Sequence, residues 1–187
     1  MGFTRAELES FRDAAVPDLI GPGCRLLFVG INPGLWTAAT GAHFARPGNR
    51  FYPALHRAGI VPHRIDPSAG MSDADRDLLL SRGIGITNLA PRATARADEL
   101  TASELRDGPE RLRRVVRSTR PAVVAVAGVT AYRTAFGDRR ASTGRQPLDF
   151  EGAALWVVPN PSGLNAHETV DTLAEWYRLA AVDAGVL

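Results

Sequence analysis

The sequence predicts an α/β fold, a mainly parallel central sheet with helices on both faces, in one domain spanning residues 1–187. Three observations predict it. Short uncharged runs rich in Val, Ile, Leu and Ala recur along the chain and read as buried strands. Amphipathic helical stretches separate them, as parallel crossovers require. A length of 187 residues with 45% hydrophobic content suits one core rather than two.

The elements follow in order. Thr4 and Glu7 make a capping box, and Leu8, Phe11 and Ala15 would share one face of the helix it starts. Arg25 to Gly30 is a strand running into the loop Ile31-Asn32-Pro33-Gly34. From Asn49, the spacing of Phe51, Leu55 and Ala58 gives a short helix that Gly59 ends, and a second helix runs from Ser72 to Arg82. Gly85 to Leu89 is a strand. Ser103 to Arg120 is a long amphipathic helix in which Gly108-Pro109 predicts a break or restart, and Pro121 marks its end. Ala122 to Gly128 carries the strongest strand signal and belongs at the centre of the sheet, followed by a short helix from Val129 to Phe136. Leu155 to Val158 is the last strand, with the loop Pro159 to Asn165 and a closing helix from His167 to Ala181.

Composition excludes several kinds of chemistry. One cysteine, Cys24, leaves neither an internal disulfide nor a thiolate set for zinc or an iron–sulfur cluster, and the four histidines lack metal-ligand spacing, so no metal or other cofactor is expected. No apolar run reaches the ~20 residues of a membrane span, and residues 1–12 lack the apolar core of a signal peptide, which predicts a cytoplasmic protein. All 22 basic side chains are arginine, so no lysine amine is present for Schiff-base chemistry. Ten of these arginines fall within residues 106–145, against three acidic residues there. Such a cluster suits phosphate, or else it is a solvated helix face.

In open α/β sheets ligands bind beyond the carboxyl ends of the strands, so the loops at 30–34 and 159–165 are the places to look. The first is no dinucleotide fingerprint or P-loop: it lacks the third glycine, and Pro33 removes a backbone donor. A nuclease would need acidic metal ligands, and neither loop has an aspartate or glutamate.

Four ordered segments carry a resemblance: Gly-Ile-Asn-Pro-Gly at 30–34, Thr-Gly-x-x-Phe-Ala-x-Pro-x-Asn-Arg-Phe at 40–51, Gly-Ile-Thr-Asn-Leu at 85–89 and Asn-Pro-Ser-Gly-Leu at 160–164. Together they resemble the mismatch-specific uracil/thymine-DNA glycosylases. The resemblance implies the three-layer α/β/α sandwich of the uracil-DNA glycosylase superfamily. It also implies a monomeric enzyme that flips a mismatched or damaged base out of double-stranded DNA and hydrolyses its glycosidic bond.

Carried over by motif, Asn32 is the catalytic residue that positions the attacking water, the alternative being a turn cap bonded to its own backbone. Gly30, Ile31, Pro33, Gly34 and Asn160 belong to the base pocket, and Phe44 is the ring that stacks on the base, where otherwise it would be core. In the strictly uracil-selective branch a tyrosine stands at the place of Gly34 and blocks the thymine methyl; glycine offers no such wall, unless it serves only the turn. Leu164 is the wedge that fills the gap in the duplex, with Ser162, Gly163 and Asn165 as its DNA-binding neighbours. Asn165-Ala166-His167 departs from relatives that carry an arginine just past the wedge. A single-strand-selective or broad-specificity uracil glycosylase, and a DNA-binding module without turnover, are the alternatives.

Overall fold

The computed structural model describes residues 2–187. Five strands, β1 (Leu26–Gly30), β2 (Ile84–Asn88), β3 (Val123–Ala127), β4 (Gly144–Arg145) and β5 (Ala154–Val158), form one sheet in the order β2-β1-β3-β5-β4. The first four in that order run parallel, and β4 pairs antiparallel at the edge. As expected, the Val/Ala run of β3 takes the centre, where every residue is buried.

Alternation along the strands divides the core into two apolar layers. Leu26, Phe28, Val123 and Ala125 pack on one face with α3 (Phe51–Arg57), α4 (Asp73–Ser81) and α7 (Val170–Asp183). Leu27, Val29, Val124 and Val126 pack on the other with α5 (Ala102–Thr119) and α6 (Val129–Phe136). This is the expected three-layer α/β/α sandwich. No helix among the described residues is long and apolar enough to cross a membrane.

Several boundaries differ from the sequence expectation. The capping box of Thr4 and Glu7 forms, but α1 spans only Arg5–Glu9 and buries nothing; Phe11 and Ala15 lie beyond it. The chain is drawn instead into backbone pairing with residues 92–93, through Asp13 N–H to Ala93 O and Ala93 N–H to Ala14 O, each at 2.9 Å. A strand-like partner outcompetes a short exposed helix because the latter has no apolar face to bury.

In the opposite sense, α5 passes through Gly108-Pro109 unbroken. Proline costs about 3 kcal/mol in a helix interior. Burial of Leu112 and Val116, about 1.5–3 kcal/mol each, offsets that, and the Thr101–Glu104 capping box holds the start. Gly108 is needed for contact, since a Cβ there would lie 3.0 Å from Leu89 Cβ. The closing helix starts at Val170, capped by Thr169, rather than at His167. Three elements go unread in the sequence: α2 (Leu35–Thr40), just after the first loop, a 3-10 turn at Ala97–Glu99 and the two-residue β4.

Chain order reverses between β1, which leads on to β2, and β3, which leads to β5. The loops leaving their carboxyl ends diverge, and a crevice opens between them.

Candidate active site

That crevice is an open cleft of about 810 Å³. Its lining includes a residue at or just past the carboxyl end of each of the four parallel strands: Gly30, Asn88, Ala127 and Asn160. Of the residues singled out from the sequence, Gly30, Ile31, Asn32, Pro33, Gly34, Phe44, Asn160, Ser162 and Leu164 all line it. Gly163 and Asn165 do not.

The Asn32 carboxamide is held by residues far away in sequence. Its Nδ2 donates to Arg92 O at 2.9 Å and to Thr94 Oγ1 at 2.7 Å. The Thr94 hydroxyl spends its only proton on Arg96 O, 2.7 Å away, so toward Asn32 it can only accept. Both N–H bonds of Asn32 are therefore committed, and Oδ1 is the free end of an amide that lines the cleft. It does not cap its own turn. Arg92 is anchored in turn by Glu104 at 2.5 Å and Asp13 at 2.9 Å, and its guanidinium pulls the Glu104 carboxyl down to about 2.

Phe44 faces the cleft from the segment between α2 and α3. Its φ of 55° lies in the left-handed region, a strained state for a bulky residue. One face of the ring stacks on Phe51 at 4.1 Å between centroids, which leaves the rest of the side chain to the cleft. Gly30 makes room beside it: a Cβ there would sit 3.4 Å from Phe44 Cζ and 2.5 Å from Asn88 Oδ1.

Asn88 and His43, both buried, set the polarity of that corner. His43 Nε2 lies 2.9 Å from Pro17 O, a pure acceptor, so Nε2 carries the proton. Burial holds the ring below its ordinary pKa of 6.5, hence neutral, with a lone pair on Nδ1. Asn88 Nδ2 approaches that nitrogen at 3.4 Å, which turns Asn88 Oδ1 toward the space beside Gly30. Arg111 fixes the same residue from below, donating to Asn88 O at 2.8 Å while paired with Asp18.

The glycines separate by cause. Gly34 has φ −77° and a Cβ there would meet nothing within 4 Å, so the turn does not demand glycine. Gly163 is demanded by packing, because a Cβ would come 2.7 Å from Gly48 O. In the second loop Asn160 Oδ1 accepts from Ser162 N–H at 3.0 Å, and Asn165 spends both ends of its amide on the loop backbone. Leu164 stands outward, 71% exposed.

The arginine cluster at 106–145 turns out to be elsewhere. None of its members lines the cleft, and Arg111, Arg113, Arg117, Arg133 and Arg145 are engaged by carboxylates or carbonyls of the fold. The arginines on the cleft are Arg5, Arg46 and Arg96, all outside the cluster. Thr94, His43 and Arg92 lie outside the set of site residues expected from the sequence. His43 sits inside the 40–51 motif and could have been flagged there; Thr94 and Arg92 carry no local signal. Among the described residues no group of three or more His, Cys, Asp or Glu side chains is placed to hold a metal ion.

A largely parallel α/β sheet with a cleft at its switch point is a layout that binds ligands. The family model of the Uracil DNA glycosylase superfamily matches residues 17–183, and the chain belongs to that superfamily. Its class is therefore that of the DNA glycosylases, hydrolases acting on DNA. Among solved structures it is similar to the solution NMR structure of a candidate uracil DNA glycosylase from Methanosarcina acetivorans. The TM-score is 0.61 and the identity 16%, over 92% of this chain and 96% of that one, a likeness of fold.

Proposed function

We propose that this chain is a monofunctional, mismatch-specific uracil/thymine-DNA glycosylase acting on double-stranded DNA and leaving an intact abasic site. The observation that carries the proposal is the locked amide of Asn32, whose acceptor end is free in the same cleft as Phe44. A water donating one proton to Asn32 Oδ1 is oriented with a lone pair available for C1′ of the extruded nucleotide. The water oxygen adds to C1′, the glycosidic electron pair leaves with the base, and the water's second proton passes to the base or to solvent. An amide is a poor base, so positioning carries the rate.

Within the pocket, Asn88 Oδ1 suits the N3–H of a uracil or thymine imide, and Phe44 offers its open face for stacking. Ile31, Pro33 and Asn160 shape the walls. The open space at Gly34 supports acceptance of the thymine methyl, since neither the backbone nor any neighbour accounts for a glycine there. Leu164 is the wedge, and Ser162, Gly163 and Asn165 build the loop that carries it. The absence of lysine supports hydrolysis without strand cleavage.

The test is single-turnover base release from a labelled duplex with one G·U or G·T pair, read as alkali-dependent strand scission. Asn32→Ala should keep duplex binding and lose about 100-fold or more in base release, the scale for one preorganised polar group. Undiminished release would remove Asn32 from the mechanism. Binding without any release by the unaltered chain would leave only a DNA-binding module.

A further inference from the structure

We propose that Arg50 is the positioning residue of the wedge: it holds the Leu164 loop in its projecting form and ties that loop to the segment bearing Phe44. The inference rests on the base-excision function proposed above.

The Arg50 guanidinium donates to three carbonyls of a single loop: Ser162 O at 2.5 Å, Asn165 O at 2.6 Å, and Glu168 O. Its backbone N–H donates to a fourth, Pro161 O at 2.9 Å. These four bracket Leu164 on both sides. The N–H groups of Ser162, Leu164, Asn165 and His167 are bonded within the loop itself, so its polar backbone is turned inward. The large apolar side chain left on the outside is the leucine, 71% exposed. An exposed apolar side chain gains nothing from solvent, so the conformation must be held from behind.

Two further contacts make the junction rigid. Gly163 lies so close to Gly48 that a Cβ at 163 would meet Gly48 O at 2.7 Å. Phe51, the residue after Arg50, backs the Phe44 ring. One short segment, 44–51, thus carries the aromatic clamp at one end and the wedge anchor at the other. The Arg50 cation has no carboxylate partner among the described residues, and its buried Nε has no hydrogen-bond acceptor. Lysine, with a point charge in place of a planar fork, could not span carbonyls at 162, 165 and 168 together.

The test compares Arg50→Gln and Arg50→Lys with Leu164→Ala. The first readout is the fluorescence of 2-aminopurine placed beside a tetrahydrofuran abasic site opposite guanine, which reports insertion of the wedge and needs no base release. The second is single-turnover uracil release from a stacked G·U duplex and from a bubble in which the uracil is already unstacked. Melting of each variant checks folding, and Arg50→Lys keeps the charge if Arg50→Gln is too unstable to assay.

We expect Arg50→Gln to lose the fluorescence change and about tenfold in release from the duplex, the effect of losing more than one net hydrogen bond, with less than about threefold loss on the bubble. Arg50→Lys should fall between. The double variant Arg50→Gln/Leu164→Ala should be no slower on the duplex than Leu164→Ala alone, because both act through one side chain. Equal losses on duplex and bubble, multiplicative losses in the double variant, or an unchanged fluorescence response would each overturn the proposal. A chain that gives the fluorescence change but releases no uracil would sink the excision function and leave the loop assignment standing.

Discussion

Thr94→Val tests how the Asn32 amide is held. Both side chains are β-branched, and Thr94 is 1% exposed, so the change removes a hydroxyl without opening the core. Two hydrogen bonds go with it. Arg96 O, in an exposed residue, can turn to water in place of its lost donor. The Asn32 N–H now aimed at Thr94 has no such substitute, while the bond to Arg92 O at 2.9 Å remains. One net hydrogen bond is worth about 0.5–1.5 kcal/mol, and stranding a buried donor costs about 1–3 kcal/mol. The amide is then free to rotate its Oδ1 out of register. At about 1.4 kcal/mol per factor of ten, single-turnover base release should fall about tenfold with duplex affinity unchanged. The melting temperature should drop by about 2–8 °C for a domain of this size. Thr94→Ser should restore most of the rate. The reasoning is refuted if Thr94→Val releases base within about twofold of the unaltered chain, or if its loss lies in DNA binding.

Two other outcomes follow from the pocket. Gly30→Ala would push a methyl to 2.5 Å from Asn88 Oδ1, and relieving the clash would turn the Asn88 amide away from His43 Nδ1 and out of the pocket corner. Base release should collapse while affinity for undamaged duplex persists, measured by gel shift beside the kinetic assay; an active variant would show that the base lies elsewhere. His43 is neutral in the fold with its pKa held down by burial, and the charged groups acting on it are Asp18, which raises it, and Arg111 and Arg76, which lower it. The unfolded chain then binds the extra proton first, so stability is full above pH 6.5 and declines as the pH falls toward the folded value. Urea unfolding of the unaltered chain and of His43→Phe between pH 8 and pH 5 should diverge over that window. Superimposable profiles would show that His43 is not the group responsible.

The layers and the two loops that border the cleft could be read from the sequence alone. Runs such as Val123 to Ala127 are too uniformly apolar to be anything but buried, and the helical stretches between such runs force parallel pairing. Ser72 and Thr4 mark the starts of their helices in the sequence because a cap and its partner lie three residues apart, a distance at which chain connectivity does the positioning. The two loops were legible for the same reason, since each follows its strand directly.

Long-range packing set what no local pattern records. It cut α1 short, because the competing backbone partner lies some 80 residues downstream, and carried α5 through a proline, because buried side chains outweighed a lost hydrogen bond. The same holds within the site. The direction in which Asn32 presents its oxygen is set by Arg92 and Thr94, the polarity of Asn88 by His43, and the stance of Leu164 by Arg50. Hydrogen bonds join whatever polar groups the packed core brings into reach. Short-range periodicity can thus place a loop at the end of a strand, but which way an amide in that loop turns depends on groups that only the folded chain assembles.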